Sequence, residues 1–84
     1  MTKGMGIVRT KGKDAHNYRF MYFGYIETTK PDGTKDEFIR IYNPQIYNHD
    51  AKAFEDLSIS SLTIAWSNVK GHKIYVESQG RSGV

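Results

Sequence analysis

Eighty-four residues make one domain at most, below the roughly 100–150 at which single domains are most common, so multidomain machinery is excluded. A chain this short buries only about 60–65% of the surface its unfolded form exposes, and with 38% hydrophobic residues a large enzyme pocket is not expected. The absence of cysteine removes disulfides, iron–sulfur clusters and thiolate zinc sites, leaving a core that holds unaided or through a partner subunit.

The net charge of +3 is unevenly spread. Residues 1–13 carry Lys3, Arg9, Lys11 and Lys13 with no acid, while between Asp14 and Val69 eight acids outnumber five bases. From Lys70 onward, Lys70, Lys73 and Arg81 stand against Glu77. Terminal segments brought together would form a basic surface beside a mildly acidic body, an arrangement that attracts phosphate. The plainer meaning of +3 is an ordinary soluble surface. Eleven aromatic residues (six Tyr, four Phe, one Trp) either fill a small core or form a platform for bases or a partner protein.

Residues 1–5 read as a flexible arm leading into a strand over Gly6 to Thr10. The polar stretch from Lys11 to Asn17 reads as a basic, exposed loop. Tyr18 to Lys30 is rich in aromatic and β-branched residues and is followed by Pro31-Asp32-Gly33 and a second apolar run from Thr34 to Asn43. Proline presets the first turn position and glycine accepts the left-handed one, so a hairpin with a three-residue loop is expected. Facing Lys30 with Thr34 pairs Ile26 with Phe38, Tyr25 with Ile39, Gly24 with Arg40, Phe23 with Ile41 and Tyr22 with Tyr42. Both faces of this hairpin are then too apolar for a ribbon with one wet side. Either the strand kinks at Gly24 and buries its two faces in turn, or one face is an interaction surface.

Asn43-Pro44-Gln45 stops the second strand. Asn48 or Asp50 then caps a short helix near 50–57, with Ala51, Ala53, Phe54 and Leu57 on its apolar face. Leu62, Ile64 and Trp66 alternate with polar or small residues as a strand with one buried face. After a turn over Asn68 to Gly71, Ile74 and Val76 alternate with Lys73, Tyr75 and Glu77 in a closing strand, and 78–84 reads as a frayed tail. The expected fold is a single mainly β (α+β) domain over 1–84. It is either a small five-stranded antiparallel barrel or a strongly curved sheet, and its β-β-β-α-β-β order resembles that of OB-type barrels, which bind oligonucleotides or oligosaccharides on an open face.

No apolar run approaches the ~20 residues needed to span a bilayer, and no apolar segment follows the first basic residue as in a secretory signal, so a cytoplasmic location is expected. His16, His49 and His72 lie in separate loops without zinc-motif spacing. Asp36-Glu37 and Glu55-Asp56 are neighbours in sequence and form no shared acid–base site by themselves. Lys11-Gly12-Lys13 lacks the spacing of a phosphate loop. No metal, cofactor or catalysis is therefore expected.

The favoured role is binding of single-stranded DNA or RNA. Tyr18, Tyr22 and Tyr42 would stack bases with Arg40 between them, Tyr75 would be a further exposed ring, and Arg9, Lys11, Lys13, Arg19, Lys70 and Lys73 would follow the backbone. Each tyrosine has an equally good alternative use, its ring over the core and its hydroxyl in water; Trp66 is assigned to the core. The competing class is a protein-interaction module, either a homodimer through the second apolar face of the hairpin or an accessory protein of a phage or plasmid that docks on a larger host protein.

Overall fold

The computed structural model describes residues 6–13 and 15–76; the arm expected at 1–5 and the tail expected at 78–84 lie outside the described residues. Among the described residues eight strands form two antiparallel sheets: β1 (Gly6–Thr10), β2 (Asn17–Phe20), β3 (Tyr22–Thr29), β4 (Lys35–Tyr42), β5 (Gln45–Asn48), β6 (Ala53–Asp56), β7 (Ser61–Ala65) and β8 (Val69–Val76). The larger sheet has the order β6-β5-β2-β1-β8 and the smaller β3-β4-β7. A short 3-10 turn, Trp66–Asn68, is the one helical element among the described residues. The mainly β expectation holds, but in place of one closed barrel there are two sheets.

The central hairpin has the expected register, from Tyr22 opposite Tyr42 to Thr29 opposite Lys35. Its tip is closed by Lys30 N–H to the Thr34 carbonyl (2.8 Å) and Gly33 N–H to the Lys30 carbonyl (2.9 Å), with Gly33 at φ 90°. Asp32 Oδ1 accepts from both the amide (2.9 Å) and the hydroxyl (2.6 Å) of Thr34. These bonds favour the ionised carboxyl and hold its pKa below the usual value.

The same register continues beyond the hairpin, where Arg19 faces Gln45 and Tyr18 faces Ile46. β2–β3 and β4–β5 are thus two arms of one long ribbon, folded where Met21 meets Asn43 and Pro44. This places the kink three residues before the expected one. Gly24 sits within a regular strand opposite Arg40 with open space around it, whereas Asn43 takes φ 53°, a left-handed conformation that asparagine tolerates better than most residues. Backbone groups freed at the corner find partners. Met21 N–H donates to the Tyr42 carbonyl (3.1 Å), Asn43 N–H to the Ser60 carbonyl (3.0 Å), and Leu57 N–H to the Pro44 carbonyl (3.2 Å).

At this corner the ribbon exchanges its faces. Before it, Tyr18 and Phe20 face the core; after it, Phe23, Ile39 and Ile41 do so. Each face of the ribbon is thus turned to the core over part of its length, while Tyr22, Ile26, Phe38 and Tyr42 lie on the side of the smaller sheet turned away from it. One cluster draws on both sheets: Val8, Phe20 and Val69 from the larger and Ile39, Ile41 and Ile64 from the smaller, all buried, with Leu62, Trp66 and Ile74 packed against them. Phe20 and Phe23 meet edge to face across the corner at 5.4 Å.

The helix expected at 50–57 is absent. Asn48 does cap, its Oδ1 accepting from the amides of Asp50 (2.9 Å) and Ala51 (3.1 Å). Only one turn follows, closed by Lys52 N–H to the Asn48 carbonyl (2.7 Å), before Lys52 enters the left-handed region at φ 57°. The chain then returns as β6 along β5, pairing Phe54 with Tyr47. A two-turn helix has too few hydrogen bonds to offset its nucleation cost, and pairing satisfies the backbone of both strands. The expected turn at 68–71 is shifted as well. The chain turns at Trp66–Asn68, and β8 begins at Val69, opposite Thr10.

Gly6 is buried between Phe20 and Val76; a Cβ there would lie 2.7 Å from Phe20 Cζ and 2.8 Å from the Tyr75 carbonyl oxygen. Gly6→Ala is expected to destabilise by roughly 1–3 kcal/mol, the usual cost of overpacking. Gly24→Ala, with no atom within 4 Å of the added carbon, should be neutral or stabilising by up to about 1 kcal/mol. Urea unfolding midpoints of the two variants check both the packing at β1 and the position of the corner.

Candidate nucleic-acid interface

Residues directly opposite one another in a sheet share a face, and alternate residues along a strand share it too. With Val8, Tyr18, Phe20 and Ile74 turned inward, the larger sheet presents the opposite set outward: Ile7 and Arg9 on β1, Asn17 and Arg19 on β2, Gln45 and Tyr47 on β5, Phe54 and Asp56 on β6, Lys73 and Tyr75 on β8. One row reads Asp56, Gln45, Arg19, Ile7, Tyr75 across five strands. Arg9, Lys73 and Tyr75 are exposed and the central residues half-buried, so the face is accessible.

Rings and cations interleave on it. The Arg9 guanidinium lies 5.4 Å and the Lys73 ammonium 5.6 Å from the centre of the Tyr75 ring. Towards the other edge, Arg19 lies 5.5 Å from the centre of Phe54, which meets Tyr47 edge to face at 5.2 Å. Tyr75 and Phe54 are four strands apart, roughly 19 Å at ordinary strand spacing. Asp56, at the β6 edge, is the one carboxylate among the described residues of this face, and its Oδ1 accepts from the Ser58 amide (3.3 Å).

The antiparallel pairing of β1 with β8 unites the two basic segments. Of the residues singled out in the sequence, Arg9, Arg19, Lys73 and Tyr75 come together on this face. Lys11 and Lys13 are exposed in the loop between β1 and β2, and Lys70 is exposed at the start of β8. Tyr18 is a correction. It turns towards the core and packs against it, half-buried, with burial pushing its phenol pKa up, so it does not share a face with Tyr22 and Tyr42. Tyr22, Tyr42 and Arg40 do share a face, but it is the outer face of the smaller sheet. There the two rings meet at 5.5 Å, Tyr22 is 67% exposed, and Arg40 Nε donates to Thr63 Oγ1 at 3.1 Å.

Tyr47 and Phe54 also lie on this face, although neither was singled out in the sequence. The signal was the alternation Gln45-Ile46-Tyr47-Asn48 directly after Pro44, a short strand pattern; Phe54 was absorbed by the expected helix. His16 and His49 line a common cleft, while His72 stacks on Trp66 at 5.7 Å. Among the described residues no group of three His, Cys, Asp or Glu is placed to hold a metal, and no helix is long and apolar enough to cross a membrane. Compared with protein-family models, curated proteins and solved structures, the chain matches none.

One further tyrosine is committed elsewhere. The Tyr25 hydroxyl donates to Glu37 Oε2 at 2.5 Å. That bond, reinforced by smaller desolvation and charge effects, raises the phenol pKa to about 12. The phenol is an acid whose neutral form the fold favours, so this contact contributes below the ordinary tyrosine pKa of 10.0 and is lost as pH rises from there towards about 12. In a spectrophotometric alkaline titration one tyrosine should ionise near pH 12, and Glu37→Gln should move it down towards the ordinary range.

Proposed function

We propose that this protein binds single-stranded nucleic acid on the outer face of its five-stranded sheet and does so without catalysis. The observation that carries this reading is the interleaving of Tyr75, Tyr47 and Phe54 with Arg9, Arg19 and Lys73 on one accessible face. Rings on an open sheet stack bases, and neighbouring cations neutralise phosphates. In the free protein Arg9 and Lys73 cover the Tyr75 ring; when a base takes that ring, both cations lie beside the phosphates flanking it. This reading rests on the face itself and does not require an OB-like barrel.

The test is a salt titration with a labelled single-stranded oligonucleotide, followed by fluorescence anisotropy. Three neutralised phosphates give a slope of log K against log salt of roughly −2, at about −0.7 for each phosphate of a single strand. Tyr75→Ala and Tyr47→Ala should each weaken binding by about 1–3 kcal/mol, the usual loss of one stacked base. Tyr22→Ala with Tyr42→Ala should leave affinity unchanged. Absence of binding at low salt, or loss confined to the Tyr22 and Tyr42 variant, rejects the reading.

A second reading, a homodimer, is favoured by the outer face of the smaller sheet, where exposed Tyr22 lies beside half-buried Tyr42, Ile26, Phe38 and Ala65. Light scattering should then report twice the monomer mass, and Tyr22→Arg should halve it. A monomeric mass for the unaltered chain ends this reading.

A further inference from the structure

At one end of the five-stranded sheet, continuous with its outer face, lies a cleft of about 210 Å³ whose polar lining includes Arg9, His16, Asn17, His49 and Lys70, with no carboxylate among the described residues that line it. We propose that this cleft is the phosphate pocket of the interface and takes one phosphate group of the bound strand. The inference rests on the sheet-face reading above and adds a defined ligand subsite to it.

Three independent backbone features converge on the cleft. First, the pairing of β1 with β8 changes register between Val8 and Thr10, where Gly71 (φ 66°) and His72 (φ 50°) bulge out of the strand. Bulges re-aim neighbouring side chains, and this one brings Lys70 to the same cleft as Arg9. Second, Thr10 is buried and fastens the end of the β1–β2 loop: its amide donates to the His16 carbonyl (2.9 Å) and its Oγ1 accepts from the His16 amide (2.9 Å). Third, the Asn48 cap sets the turn that carries His49, whose ring rests against Tyr47 at 4.9 Å. Arg9 and Asn17, paired across β1 and β2, belong to the platform and the cleft at once.

The lining chemistry suits phosphate. A guanidinium, an ammonium, two imidazoles and a carboxamide supply N–H donors, and a phosphate oxygen only accepts. At about 210 Å³ the cleft is smaller than the roughly 300–1,000 Å³ of pockets that enclose drug-sized ligands. It is ample for an anionic group, and its donor lining rather than its size selects the phosphate over the apolar base. The phosphate is either an internal phosphodiester or a terminal monoester, which carries close to two charges near neutral pH.

Lys70 and His49 are exposed, so Lys70→Ala and His49→Gln should leave thermal unfolding unchanged. The experiment measures affinity and salt slope for one single-stranded sequence bearing a 5′-phosphate, a 3′-phosphate or hydroxyl ends. Lys70→Ala should weaken binding at least threefold and reduce the slope by about 0.7. Equal loss on all three strands assigns an internal phosphodiester; loss concentrated on one phosphorylated end assigns a terminal monoester. If Lys70→Ala combined with His49→Gln changes neither affinity nor slope while Tyr75→Ala still weakens binding, the pocket is rejected and the platform stands. A parallel NMR titration with inorganic phosphate reads the cleft without a strand. Shifts at Arg9, His49 and Lys70 in a protein that binds no oligonucleotide reject the platform and keep the pocket as an anion site, and no shift together with no oligonucleotide binding rejects both.

Discussion

The fold turns on the corner where Met21 meets Asn43 and Pro44. A single ribbon in one register runs from Asn17 to Asn48, and nothing in its pairing requires it to lie in one sheet. Asn43 in the left-handed region, with Pro44 fully buried behind it, folds the ribbon over so that its two halves join different sheets and bring opposite faces to one core. Without that corner, Phe20 and Phe23 would point to opposite sides and the small core would be divided. With it, a chain of this size concentrates Val8, Phe20, Val69, Ile39, Ile41 and Ile64 into one cluster.

The corner also releases a face. Because β2 and β5 leave the hairpin's plane to pair with β1 and β6, Arg19 and Gln45 become the centre of a five-stranded surface with Tyr75 at one edge and Phe54 and Asp56 at the other. Charge is unevenly distributed over the two sheets. Glu27, Asp32, Asp36 and Glu37 lie on the β3–β4 hairpin, where Lys30–Asp36 and Lys35–Glu27 pair at 3.6 Å in exposed positions of little energetic weight. Arg9, Lys11, Lys13, Lys70 and Lys73 lie around β1 and β8, the positive side on which a phosphate backbone would settle.

Much of this was legible beforehand where local chemistry and local pattern agree. β1 has its expected limits, the hairpin pairs residue for residue as Pro31-Asp32-Gly33 implies, and Leu62, Ile64 and Ile74 point inward as expected, while Val76 at the end of β8 is exposed. The helix near 50–57 failed for a specific reason. Asn48 has the chemistry of a helix cap, and a cap does not specify how many turns follow; that depended on β5 offering an unpaired edge to the residues of β6. Tyr18 does not share a face with Tyr22 and Tyr42 because the corner between them reverses the sides of the ribbon. Tyr47 was missed because the alternation that carries it spans only a four-residue strand, and Phe54 because the expected helix absorbed it.

The sequence by itself determined the pairing of the central hairpin, the limits of β1, and the positive excess of the two terminal segments. These follow from turn stereochemistry, period-two alternation and charge, all of which act within a few residues. The tertiary structure alone decided that β1 lies between β2 and β8, that the ribbon folds at Asn43, and therefore that Arg9, Arg19 and Lys73 share a face with Tyr47, Phe54 and Tyr75. Such neighbours are separated by up to some sixty residues along the chain. They meet because the folded ribbon and its neighbours β1 and β8 share one core, a constraint no local pattern expresses.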